Sequence, residues 1–185
     1  MSAGGGTVRT VPLTMQHQKL SEWCWAAVSV SVNLYFRPDS THTQCEIAGS
    51  VLNVACCGQG TETEARCNTS HELHPVLGRL HLLAADPVLK PLTFDQIQKQ
   101  IDAGHPICVL IKWLDHEGNV TDRGHFIAVA GYRITAAQKQ FVSIADPLYG
   151  PSEVSYLEFA SHKGGYRDGS GVWFASFLVE NEAAS

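Results

Sequence analysis

Three side chains able to do covalent chemistry stand far apart in the chain: a thiol, an imidazole and a carboxylate. Cys24 lies in Gln18-Lys-Leu-Ser-Glu-Trp-Cys-Trp-Ala-Ala27, just ahead of an apolar stretch that reads as a buried helix from Cys24 to about Tyr35. Ser21 is placed to cap that helix through its hydroxyl. Cys24 then falls in the first turn, where the positive end of the helix dipole favours a thiolate. Gln18, six positions upstream, is close enough for its amide to donate a hydrogen bond at the same site. His125 opens the apolar segment His-Phe-Ile-Ala-Val-Ala-Gly-Tyr directly after Gly124, one ionisable group at the entry of a strand. Asp146 ends the strand-like Phe-Val-Ser-Ile-Ala and precedes Pro147. Each has a plainer explanation. A lone cysteine is commonly a packed core residue, any one of nine histidines is more often surface or packing, and Asp-Pro starts turns. Together they fit a nucleophile (Cys24), its general base and acid (His125), the group orienting that base (Asp146) and an oxyanion donor (Gln18). The backbone N–H of Cys24 is the second donor expected.

Those same residues carry a family resemblance. A glutamine, five residues and a cysteine at a helix start resemble the papain-like cysteine peptidases. Trp-Cys-Trp-Ala-Ala, with a later Gln44-Cys-Glu-Ile-Ala, an adjacent cysteine pair and Cys67-Asn68, is similar to the bacterial effector branch of the AvrRpt type. The segments Gly124 to Tyr132 and Ala145 to Gly150 also resemble the double-glycine leader peptidases attached to peptide-exporting transporters. The resemblance spans roughly residues 10 to 180. It implies an α+β, papain-like fold and peptide-bond hydrolysis through a Cys-His pair. It also implies a secreted or injected effector or toxin acting on a protein or peptide substrate, with a cognate inhibitor or immunity protein as a further expected partner. An aspartate as orienter, where papain has asparagine, fits the leader-peptidase side of the resemblance.

Length and composition set the frame. At 185 residues, 44% hydrophobic and 17% charged, the chain can bury a sizeable core in one domain. A net charge of −5 argues against nucleic acid as the main partner. No apolar run reaches membrane-span length. No signal-peptide core is visible near the N-terminus, so delivery by a signal-independent route from a cytoplasmic pool is expected. Four of the six cysteines (Cys45, Cys56, Cys57 and Cys67) fall within 23 residues, which suggests two disulfides of open pairing. Because adjacent cysteines rarely bond to each other, Cys56 and Cys57 should each take a different partner. Reduced thiols, or zinc with His71 and His74, are the alternatives. Cys108, inside Pro106 to Trp113, reads as a core residue.

These residues need elements to hold them. Residues 1–10 read as a flexible leader and 11–180 as one domain, with a helical lobe over about 14–104 and a β lobe over about 105–180. Val8 to Leu13 reads as an edge strand, Cys45 to Ala55 and His71 to Leu83 as helices, and Gly58 to Thr69 as a turn-rich loop. Thr93-Phe-Asp-Gln96 is a capping box for a helix ending at Ala103-Gly104. Antiparallel strands are expected at Pro106 to Trp113, His125 to Tyr132, Gln140 to Ala145, Val154 to Leu157 and Val172 to Val179. Glu158 to Gly171 is expected as a loop near the cleft, and Gly4-Gly5-Gly6 as a tether or a cleavage site. The expected protein is a monomeric cysteine endopeptidase without cofactor. An acyl transferase or ligase using the same pair, or an inactive peptide-binding module, are the alternatives.

Overall fold

The computed structural model describes residues 6–58, 60–161, 163–167 and 169–181. Met1 to Gly5, and with them half of the expected leader and two of the three tether glycines, lie outside the described residues. Five helices come first: α1 (Cys24–Phe36), α2 (Gln44–Leu52), α3 (Thr61–Cys67), α4 (Leu73–Arg79) and α5 (Phe94–Asp102). They are preceded by a short strand, β1 (Thr7–Thr10). The sheet is then completed by β2 (Ile107–Leu114), β3 (Val120–Ile134), β4 (Gln140–Ala145), β5 (Ser152–Ser155) and β6 (Gly171–Leu178), with a one-turn helix α6 (Tyr156–Phe159) between the last two. This is an α+β, papain-like arrangement of helices and antiparallel strands.

The sheet runs β5-β4-β3-β2-β6, every pair antiparallel, and β1 pairs with the far end of β3. β3 is long enough to pair with β2 along its first part and with β1 beyond it, from Gly131 to Ile134. Gly131 is required there: a Cβ would stand 2.7 Å from the Arg9 carbonyl oxygen. Thr7 to Thr10 therefore belong to the folded body, not to a flexible leader, and the strand stops before Val11-Pro12, because proline cannot donate to a ladder.

β2 explains itself by packing on both sides. Ile107, Val109 and Ile111 face one core with Phe94, Ile97 and Ile101 of α5, while Cys108 and Leu110 face another with α1 and α4. Both faces of the sheet are covered, so the strand reads as an unbroken apolar run instead of an alternating one. Helix α1 is the centre of the second core. Cys24 to Asn33 are all buried, and its buried serines are satisfied by the preceding turn, Ser29 Oγ donating to the Trp25 carbonyl and Ser31 Oγ to that of Ala27, each at 2.7 Å.

Several local expectations are corrected. Ser21 does not cap α1; the helix begins from Trp23 with no side-chain cap, and the Ser21 hydroxyl instead accepts from Asn68 Nδ2 at 2.9 Å. The expected loop Gly58 to Thr69 contains α3, which sequence periodicity cannot announce because Cys67 is its one buried residue. The helix expected over His71 to Leu83 is confined to Leu73–Arg79, with Pro75 in its first turn. The Thr93-Gln96 capping box forms as expected, and a second, Thr43 with Glu46, starts α2. All four clustered cysteines are in disulfides, Cys45 with Cys57 and Cys56 with Cys67, so none of their sulfurs is free to bind zinc.

Candidate active site

Cys24 is the first residue of α1, at the position where helical N–H groups have no partner inside the helix. A set of hydrogen bonds from the segment after α3 fixes this helix start. Trp23 Nε1 donates to the Cys67 carbonyl (2.7 Å), Trp25 Nε1 to that of Thr69 (3.0 Å), and Glu22 N to Asn68 Oδ1 (2.9 Å). The Cys56–Cys67 disulfide ties that segment down. The tryptophans flanking Cys24 are thus the pegs that hold the helix start on its neighbour, which explains their large size and their indole donors.

His125 is buried near the start of the apolar half of β3, paired in register with Ile111 of β2. Trp113 is two residues on from Ile111, hence on the same side of the strand, and its ring lies over the imidazole at 6.2 Å and 22°. Tyr149 meets the same ring edge-on at 6.0 Å. His125 Nε2 hydrogen-bonds Asp146 Oδ1 at 2.9 Å, and the ring lies close enough to Cys24 for the sulfur to favour its charged form. Burial works against a charged ring, but the bonds and charges of Asp146 and Cys24 outweigh it and raise the His125 pKa to about 9.

Asp146 follows the end of β4 and is 3% exposed. Its Oδ1 also accepts the backbone N–H groups of Leu148 (2.7 Å) and Tyr149 (2.9 Å), and its Oδ2 accepts the hydroxyl of Tyr166. The turn-starting and histidine-holding readings of this residue are therefore compatible: one carboxylate does both. Burial disfavours the charge of Asp146, yet His125, Tyr166 and the turn N–H groups overcome it and hold the carboxyl below its usual range.

Gln18 is buried in the loop entering α1, its backbone N–H on the Pro147 carbonyl at 2.9 Å. Its Nε2 donates to the carbonyls of Leu20 (3.1 Å) and Ser21 (2.7 Å), while Oε1 is buried without a partner. The structure thus brings Cys24, His125 and Asp146 into one row, with His125 hydrogen-bonded to Asp146 and sharing a cleft with Cys24, and sets Gln18 beside the Asp146-Pro147 turn, with its amide turned onto neighbouring carbonyls.

Cys24 and His125 open into a cleft of about 1100 Å³, lined also by Trp25, Glu72, Trp113 and Tyr149. A second, more apolar groove shares Leu110 and Lys112 with the cleft and gathers the exposed side chains of Leu89, Val120 and Phe174. Parts of the Glu158 to Gly171 segment do reach the cleft, through Arg167 and Ser170. Sequence reasoning did not find Tyr166 or Trp113. The signal for Tyr166 was slight, one aromatic residue in a glycine-rich stretch.

Cys108 is fully buried in β2, and desolvation pushes its thiol up to about 12, as befits a packing residue. Among the described residues no helix is long and apolar enough to cross a membrane. The chain matches the family described as papain-like cysteine protease AvrRpt2 over residues 6–163. No curated protein matches the chain.

Proposed function

Since the chain belongs to the papain-like cysteine protease AvrRpt2 family, and is a cysteine protease in general terms, we propose that it cleaves a protein substrate through a thioester formed on Cys24. The observation that carries this reading is the buried His125, hydrogen-bonded to Asp146 and lining an open cleft together with Cys24.

Each step follows from the chemistry of that row. With His125 as imidazolium, the sulfur of Cys24 is the thiolate and attacks the carbonyl carbon of the scissile bond. The carbonyl oxygen takes up the negative charge and is met by the backbone N–H of Cys24, and by the Gln18 amide once it exchanges one of its present carbonyl acceptors. His125 gives its proton to the leaving nitrogen, the C–N bond breaks, and the acyl group remains on sulfur. A water molecule then loses a proton to His125, attacks the thioester and releases the acid, returning Cys24 and His125 to their starting state. Asp146 keeps Nε2 occupied, so that Nδ1 faces the sulfur throughout.

The folded body from β1 onward forms the catalytic domain in this reading, and the apolar groove beside the cleft takes an apolar side chain of the substrate. The setting proposed is that of an effector delivered to another cell, where the substrate is a protein of that cell. The test is incubation of reduced enzyme with a diverse peptide library and sequencing of the products. Cleavage by wild type, with none by Cys24→Ala or His125→Ala, is expected. Equal cleavage by wild type and Cys24→Ala would refute the assignment.

A further inference from the structure

The groups that bond Asp146 reveal a fourth member of the row. Its Oδ1 is shared by His125 Nε2 and the N–H groups of Leu148 and Tyr149, all on one side of the carboxylate. The other oxygen, Oδ2, has the Tyr166 hydroxyl. A carboxylate held by one oxygen alone can turn about its Cβ–Cγ bond. Held at both, it presents a fixed edge to the imidazole. We infer that Tyr166 is a positioning residue of the protease, whose hydroxyl locks the Asp146 carboxylate in the orientation that serves His125. The inference rests on the proposed role of Asp146.

Three further observations support it. Tyr166 is 1% exposed and its ring packs on Phe159 at 5.8 Å, so the hydroxyl has little freedom to move away. Its backbone is fixed by reciprocal bonds with Gly171, the Tyr166 N–H to the Gly171 carbonyl at 3.0 Å and the reverse at 2.9 Å, which anchor it to the start of β6. Burial and the neighbouring carboxylate both push the phenol far above its usual pKa, so it stays protonated and donates to the carboxylate. Tyr166 also lies beyond residues 6–163, the span matched by the family. The arrangement further connects the row to the cleft, because the Arg167 guanidinium lies 5.4 Å from the Tyr166 ring and 4.3 Å from that of Tyr149.

Tyr166→Phe removes the oxygen and keeps the ring. Losing a donor to a buried carboxylate weakens the anion and loosens the orientation it imposes on His125. The expected result is kcat lower by about tenfold with KM within about twofold. In parallel, the acid limb of Cys24 alkylation by iodoacetamide should move up by about one pH unit. The pH profile is the diagnostic readout, since a merely structural tyrosine would lower the melting temperature without moving it. A Tyr166→Phe enzyme with the wild-type profile and kcat overturns the inference. Asp146→Asn, measured alongside, separates the two levels. If it too matches wild type, the role proposed for Asp146 fails; if it alone is impaired, only the role of Tyr166 fails. Should Tyr166→Phe not fold, 3-fluorotyrosine placed at position 166 supplies a stronger donor. The acid limb should then move to lower pH, and an unmoved limb overturns the inference.

Discussion

At the residue scale, the six cysteines have three different fates, and each can be read by chemistry. Four are oxidised in pairs, Cys108 is sealed in β2 with its thiol pushed up to about 12, and Cys24 lines the cleft beside His125. A limiting amount of iodoacetamide under non-reducing conditions should therefore modify one cysteine, and peptide mapping by mass spectrometry should place it at Cys24. Label at Cys108 would contradict the burial described. The ion pairs also make stability depend on pH. The His125 pKa is raised from 6.5 to about 9, so its stabilising contribution is complete below about pH 6.5 and is lost as pH rises through about 9. Asp146 is shifted the other way, so its contribution is present above the ordinary aspartate range and is lost as pH falls. Urea midpoints should fall between pH 6.5 and 9, and Asp146→Asn should flatten that fall. The thiol, the imidazole and the carboxylate were legible in the sequence because each stands next to a strong local signal: a buried helix, a strand entry, a strand end before proline. Tyr166 and Trp113 were not, because what makes them matter is a contact with a residue distant in the chain. Ser21 was misjudged for the same reason. A hydroxyl near a helix start has other partners to choose from, and here it chose Asn68.

At the scale of elements, the start of α1 depends on the segment that closes α3. Two indole N–H groups and one backbone N–H, from Trp23, Trp25 and Glu22, are satisfied by Cys67, Thr69 and Asn68. Removing the Cys56–Cys67 disulfide as the double serine variant should cost about 2–4 kcal/mol of stability and reduce kcat, because the same segment braces the nucleophile. The Cys45–Cys57 double variant should lose comparable stability with less effect on kcat, since that pair ties α2 to the more exposed Cys57. Denaturant titration and initial rates on both variants distinguish these outcomes. Helices with an apolar face or a capping box were readable, α1 and α5 above all. Helix α3 was not: Thr-Glu-Thr-Glu-Ala-Arg-Cys has no apolar stripe, and its place comes from the disulfide and from its neighbours.

At the scale of the molecule, the sheet is a shared wall between two cores, with α1 to α4 on one face and α5 and α6 on the other. The sequence order, helices then strands, suggested two lobes side by side, yet α5 packs on the far side of the sheet from α1. Order along the chain does not reveal which face a helix covers. The two cores can be perturbed separately. Trp173 is 1% exposed, stacks near Phe159 at 4.8 Å and donates to Ser176 Oγ at 2.9 Å, all on the face away from α1. Trp173→Ala should destabilise by about 3–5 kcal/mol in chemical denaturation, while KM at low temperature stays close to wild type. A large change in KM would mean that the two faces are coupled more tightly than their separate cores imply. One feature of this wall concerns timing. β6 is synthesised after every other strand described, yet it lies along β2 from Ile107 to Trp113. A nascent polypeptide halted before residue 171 leaves β2 with a single neighbour and Tyr166 without its anchor on Gly171. Closure of this wall therefore waits on residues 171–178, and a chain cut short of them keeps one side of β2 open.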